Sequence, residues 1–320
     1  MPGIRELNKV ELHCHLDGLL DPEMLRRLAG SGYDIDPTAL DAVLPVTTKE
    51  DWIDRYIPAH DAILDAFPDL RPAILEEHIR RLIDQNVIYA EIMLSGVFAP
   101  PSLEQSMDLV RKYRACADHA SRDAIQVEFV CAICRADREV VQRKVEWIIE
   151  LHKAGLICGF AIACEEDACT IESLADLFDQ LHDTGMGIEI HAGEWLGADT
   201  VRDAIDWGHP HRIGHGVHGF EDPALIDLLQ ARDIHLEFCP TSNLKTGAIA
   251  HIEDHPINVA RQRGMNFSIN TDDPGAFSCS MTSEFELLER TFGFTGETFD
   301  AVLNNSLRSA FVEPRLQADG

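Results

Sequence analysis

The stretch Gly187-Ile188-Glu189-Ile190-His191-Ala192-Gly193-Glu194 decides the fold. A short strand-like run ends in a histidine and passes into a glycine-containing turn that carries an acid. The same arrangement recurs elsewhere. Residues 9–15 end in His13-Cys14-His15, residues 212–215 end in His215-Gly216, and residues 266–271 run into Asp272-Asp273. Four more strand-like runs, at 87–94, 126–133, 157–164 and 235–239, bring the number to eight. Several are near-continuously apolar, as expected of strands covered on both faces.

Helical patterns fill the intervals. Residues 102–120, 138–154, 171–184 and 224–231 place apolar side chains near helical spacing, and 199–207 is a shorter case. Strand alternating with helix implies parallel crossovers. Eight such strands predict an α/β chain folded as a (β/α)8 TIM barrel, in one domain spanning 1–320. The interval after the first strand is too long for one crossover. Helix-like stretches at 22–30 and 49–67 read as an insertion, roughly 16–70, over the barrel mouth, and 74–86 reads as the crossover helix. A water-excluding lid and a structural flap are both open readings of that insertion. Residues 283–292 and 297–311 read as closing helices.

Composition narrows the partners. Of 320 residues, 45% are hydrophobic and 26% charged, enough to bury a substantial core. Asp plus Glu is 55 against 27 Lys plus Arg, a formal charge of -28. Nucleic acid and anionic membranes would be repelled. The start, Met1-Pro2-Gly3-Ile4-Arg5-Glu6, lacks the apolar core of a signal peptide, and no apolar run is long enough to span a bilayer. A cytoplasmic location is expected. The nine cysteines are scattered, and reduced, mostly buried thiols are the simplest expectation. Cys131 and Cys134 form a C-x-x-C within an apolar strand, where packing is favoured over redox chemistry.

In a barrel, functional side chains project from the C-terminal ends of the strands. His13 and His15 are two residues apart and face the same side of a strand. Alone, an H-x-H is a weak signal, His191 reads as a core or turn histidine, and an Asp pair before Pro274-Gly275 reads as a turn. Their joint placement at strand ends is the stronger observation. Three imidazoles and a carboxylate suit a borderline divalent metal such as zinc. Glu194, His215 and Asp273 are then left for protons and substrate. Buried beside another carboxylate, Glu194 would stay protonated. His215, between Gly214 and Gly216, could stabilise a hydroxide or take a proton. His211 and His218 read as surface or loop residues.

These fragments resemble the adenosine deaminase family. The resemblance rests on Lys9-Val10-Glu11-Leu12-His13-Cys14-His15-Leu16-Asp17-Gly18, His191-Ala192-Gly193-Glu194 and Arg212-Ile213-Gly214-His215-Gly216. It continues in Cys239-Pro240-Thr241-Ser242-Asn243, Thr246-Gly247 and Ser268-Ile269-Asn270-Thr271-Asp272-Asp273-Pro274. It implies one Zn2+ per chain, held by His13, His15, His191 and Asp272. Water activated by the zinc would attack purine C6. His215 would act as base, Glu194 would protonate N1, and Asp273 would hydrogen-bond N7. Asp17 matches the position that contacts the ribose 5′-hydroxyl in members acting on nucleosides. The implied reaction is deamination of adenosine or 2′-deoxyadenosine to the inosine product and ammonia, so the expected partner is a small purine nucleoside.

One stretch departs from the family. Asp-Leu-Ala-Gly-Asp-Glu at the end of the fourth strand is here Ala161-Ile162-Ala163-Cys164-Glu165-Glu166. The glycine whose N–H serves purine N3 is Cys164, whose own N–H could still serve. Cys164 therefore points towards an altered ligand, such as adenine or a modified adenosine metabolite. Another metal-dependent barrel hydrolase and a barrel that binds without turnover are the remaining alternatives.

Overall fold

Eight parallel strands pair in chain order: β1 Lys9–His15, β2 Val87–Leu94, β3 Gln126–Cys134, β4 Gly159–Ala163, β5 Gly187–Ala192, β6 Arg212–His215, β7 His235–Phe238 and β8 Phe267–Ile269. They come from a computed structural model that describes residues 3–67 and 69–315. Hydrogen bonds beyond the end of β8 close the ring. Asp272 N–H donates to His13 O (3.0 Å), and His15 N–H donates to Asp272 O (2.9 Å). Lower down, Thr271 donates from its hydroxyl to Glu11 (2.7 Å), and Leu12 N–H donates to Asn270 Oδ1 (3.0 Å). The chain is a (β/α)8 TIM barrel.

Strand alternation sorts the side chains. On β1, Val10, Leu12 and Cys14 join the apolar layer under the helices, while Glu11 and His13 are buried on the other parity. On β5, Ile188, Ile190 and Ala192 join that layer and leave Glu189 and His191 to the interior. The barrel axis thus carries ionisable groups. Glu11, Glu91, Glu189, Arg212 and Glu237 are all fully buried. At the bottom, the Phe311 ring stacks 3.4 Å from the Arg212 guanidinium. Gly159 and Gly187 make room for it, because a Cβ at either would come within 2.4 Å and 2.0 Å of that ring.

Helices Leu103–Ser121, Arg138–Lys153 and Pro223–Ala231 lie within a residue of expectation. The 199–207 pattern divides into Ala198–Asp203 and a wider π-helical turn, Ala204–Gly208. The crossover helix starts earlier than its apolar pattern, at Leu70–Asp84. The insertion contains Pro22–Gly30, the π-helical turn Asp51–Tyr56 and Ile57–Ala66. Asp21 caps the first of these by accepting from Met24 N–H (2.7 Å). Among the described residues, no helix is long and apolar enough to cross a membrane.

Candidate active site

The sequence-predicted residues converge at the C-terminal mouth. His15 Nε2 lies 3.3 Å from His191 Nε2 and 3.4 Å from Asp272 Oδ1, and His13 Nε2 lies 3.5 Å from Asp272 Oδ1. Tetrahedral zinc with bonds of about 2.0–2.1 Å needs neighbouring donors about 3.3–3.4 Å apart. His13 Nε2 is buried and makes no hydrogen bond, an orphan that a cation would satisfy. The residues present therefore fit a metal. Burial keeps His15 and His191 neutral, each lowered to about 3, which leaves lone pairs for coordination. Burial also acts against protonated His13, but the Asp272 and Glu237 carboxylates beside it outweigh this and raise it, and a bound cation would take the place of that proton. Asp272 is held well below the carboxylate range: burial opposes its charge, but His13, His215 and His15 more than offset that.

A second layer fixes the imidazoles. Glu237 accepts from His13 Nδ1 (2.8 Å) and Glu189 from His191 Nδ1 (3.2 Å). A carboxylate facing Nδ1 puts the proton there and leaves Nε2 bare towards the cluster. Arg212 holds Glu237 (2.5 Å) and Glu91 (2.6 Å) beneath them. These acids were not singled out from the sequence. The available signal was a Glu two residues before His191, on the same strand face. Gly214 creates the space for this layer. A Cβ there would lie 2.1 Å from Glu189 Oε1, 3.0 Å from His13 Cε1 and 3.1 Å from His191 Nδ1. Gly214→Ala is expected to lower metal affinity by about 10–100-fold, the cost of disturbing outer-shell partners. Metal retained during dialysis against graded chelator measures it.

The proton-handling groups sit beside the cluster. Glu194 Oε2 is 3.4 Å from His215 Nε2, and both residues are buried. Burial, then Asp272 and Glu166, push Glu194 well up, which favours its protonated form. Burial and Asp272 do the same to Asp273. His215 belongs by strand parity with outward Ile213, but its left-handed backbone (φ 61°) turns the ring inward, 4.9 Å from His13. Glu166 anchors the Glu194 loop. Its carboxylate accepts from the N–H groups of Gly193 (2.6 Å), Glu194 (3.0 Å), Trp195 (2.8 Å) and Leu196 (3.2 Å). In the sequence this residue had only marked the end of the departing stretch.

A cavity of about 200 Å3 opens onto these groups, and Asp17, Cys164 and Asp273 also line it. The insertion covers it. Trp52 stands 6.2 Å from Trp195 and 6.4 Å from Phe277, and Lys49 lies 3.9 Å over Trp195 while pairing with Glu165 at 2.9 Å. Asp17 is already engaged by the Ser95 hydroxyl and lies 3.6 Å from Arg71 Nε. Gly18 packs so closely on Asp273 that a Cβ would lie 1.8 Å from Oδ1.

The cysteine expectation needs correction. Cys134 and Cys164 form a disulfide across the mouths of β3 and β4, with Cα atoms 5.0 Å apart. Parallel register puts Cys134 opposite Ala163, so its thiol meets the next residue. Cys131 is free and buried, and the C-x-x-C forms no pair. Cys164 adopts φ 69°, the left-handed conformation that a glycine takes easily, and its sulfur is drawn sideways into the bridge.

A family model described as "Adenosine deaminase" matches residues 8–318. The chain belongs to the adenosine deaminase family. It is a hydrolase acting on a C–N bond in a family whose deaminases depend on metal. An adenine deaminase of Sinorhizobium fredii is 30% identical over 316 residues, covering 96% of this chain and 95% of that protein. One from Rhizobium leguminosarum bv. trifolii is 31% identical over 322 residues, covering 96% and 95%. The crystal structure of adenine deaminase from Arthrobacter aurescens superposes with a TM-score of 0.79 at 24% identity, covering 95% of this chain and 94% of that one.

Proposed function

We propose that this family member deaminates free adenine to hypoxanthine and ammonia, with one zinc ion held by His13, His15, His191 and Asp272. The observation that carries the chemistry is Glu194, buried and pushed well up beside His215, at the edge of a four-donor cluster and facing the same cavity. A bound zinc supplies a Lewis acid that makes water nucleophilic near neutral pH. The side chains do the rest. Glu194 donates its proton to ring N1 and draws electrons from C6, the carbon under attack. Asp273, pushed up by burial and Asp272 towards its protonated form, donates to N7, a hydrogen bond an ionised carboxylate could not give. Trp52, Trp195 and Phe277 wall off the site and exclude bulk water.

Three observations favour the free base over the nucleoside. The relatives that match across the chain are named adenine deaminases. Asp17, the residue that would greet a ribose hydroxyl, is engaged by Ser95 and Arg71. The cavity, at about 200 Å3, is smaller than pockets for drug-sized ligands, which run from about 300 Å3 upwards. The nucleoside reading keeps one point in its favour, since Asp17 still lines the cavity. Ammonia release from adenine, adenosine, 2′-deoxyadenosine and N6-methylated adenosines tests the assignment. Adenine is expected to have the highest kcat/KM, and adenosine turned over equally well would remove the free-base assignment.

A further inference from the structure

His215 sits at the end of a buried hydrogen-bond chain that starts at a backbone amide. Ile257 N–H donates to His255 Nδ1 (3.0 Å). An amide N–H can only donate, so His255 Nδ1 is an acceptor. Burial lowers His255 to about 3, so the ring is neutral and its proton is on Nε2. That N–H donates to Asn243 Oδ1 (3.2 Å). The same contact fixes the Asn243 amide, because its other orientation would set N–H against N–H. Asn243 Nδ2 must then face His215, and it donates to Nδ1 at 3.1 Å. The lone pair of Nδ1 is thereby used, and the proton of a neutral His215 lies on Nε2. All three side chains are buried, so no bulk water competes.

From this chain we infer that Asn243 and His255 are positioning residues that hold His215 as an N–H donor towards the reacting centre, not as a base. Three consequences follow from the proton on Nε2. His215 cannot ligate a cation through that atom, although it lies close enough to His13 and His191 to share one. That separates it from His13 and His191, whose Nδ1 atoms face carboxylates and whose Nε2 atoms are bare. Secondly, Nε2 cannot take a proton from attacking water. It donates a hydrogen bond to the oxygen that accumulates charge as C6 becomes tetrahedral. Thirdly, the proton traffic falls to Glu194, whose Oε2 is 3.4 Å from the same nitrogen.

The chain and the tautomer stand independently of the substrate. The kinetic role rests on the adenine reading above. Two measurements on the metal-loaded full-length protein test them separately. In protein with 15N-labelled histidine rings, the His215 resonances, assigned by their loss in His215→Gln, are expected to show a protonated Nε2 and a bare Nδ1. A protonated Nδ1 in the wild type overturns the inference, whether or not adenine is a substrate. The kinetic arm uses Asn243→Asp, nearly the same shape with only acceptors. His215 should then place its proton on Nδ1, facing the new carboxylate. If His215 is a donor, kcat should fall by about 10²–10³-fold at a pH where the spectrum shows a neutral ring, as when an oxyanion-hole donor is removed. If His215 is a base, the added carboxylate strengthens it, and an equal or higher kcat overturns the inference. If no 6-aminopurine is turned over by the wild type, the adenine reading fails while the ring spectrum still decides the tautomer.

Discussion

Glu194→Gln is expected to retain its metal and lose turnover by about 10²–10⁴-fold, the range attributed to a positioned general acid. Glutamine keeps the size and can still offer an N–H to ring N1, but it has no proton to transfer. The loop should stay in place. Four backbone N–H groups from Gly193 to Leu196 bind the Glu166 carboxylate and not the Glu194 side chain. The acid's protonation comes chiefly from burial and then from Asp272 and Glu166, so the wild-type enzyme holds its proton well above the usual carboxylate range. Metal analysis alongside steady-state ammonia release measures both halves. A variant with normal metal and unchanged kcat removes Glu194 from the reaction, and loss of both metal and rate moves it from proton transfer to site assembly.

Much of this site was legible in the sequence because barrel geometry converts position into function. The two-residue spacing of His13 and His15 puts both on one strand face, and His191, His215 and Asp272 each come at or after a strand end. Local pattern reaches that far. It does not show which distant group a buried acid will face. Glu237 and His13 are 224 residues apart and meet only because β7 and β1 enclose the same axis. In sequence, Glu237 is merely a charge interrupting an apolar run. The Cys134–Cys164 bridge was missed for a similar reason. Thirty residues separate the pair, and only the β3–β4 register places one thiol beside the other. Asp17 shows the same limit. Its resemblance-based role concerned a sugar, and the Ser95 and Arg71 side chains beside it come from elements that its own neighbourhood does not reveal. Asn243 was part of a quoted motif, but its role depends on His255 and on the amide of Ile257, both further along the chain.

Asp272→Ala is expected to reduce metal affinity by more than about 100-fold, beyond the 10–100-fold typical of outer-shell changes. Asp272 is the single anionic donor proposed for the cluster. Its Oδ1 lies 3.4–3.5 Å from two imidazole nitrogens, and its Oδ2 accepts from Ser242 Oγ at 2.7 Å. Those contacts hold the carboxylate ionised against the cost of burial. Without it, three neutral imidazoles would face a divalent cation with no anionic ligand among them. The backbone joint should survive the substitution, since Asp272 closes the barrel through its own N–H and C=O to His13 and His15. The φ of 64° at this position is a strain that alanine inherits without the side-chain contacts that hold it in aspartate. Far-ultraviolet dichroism of the metal-free variant should therefore match the wild type, while its melting temperature should no longer rise on adding zinc as steeply as the wild type's. Chelator competition gives the affinity directly. Undiminished zinc binding by Asp272→Ala would mean that the cation lies elsewhere, and the assignment of His13, His15 and His191 as its ligands would go with it.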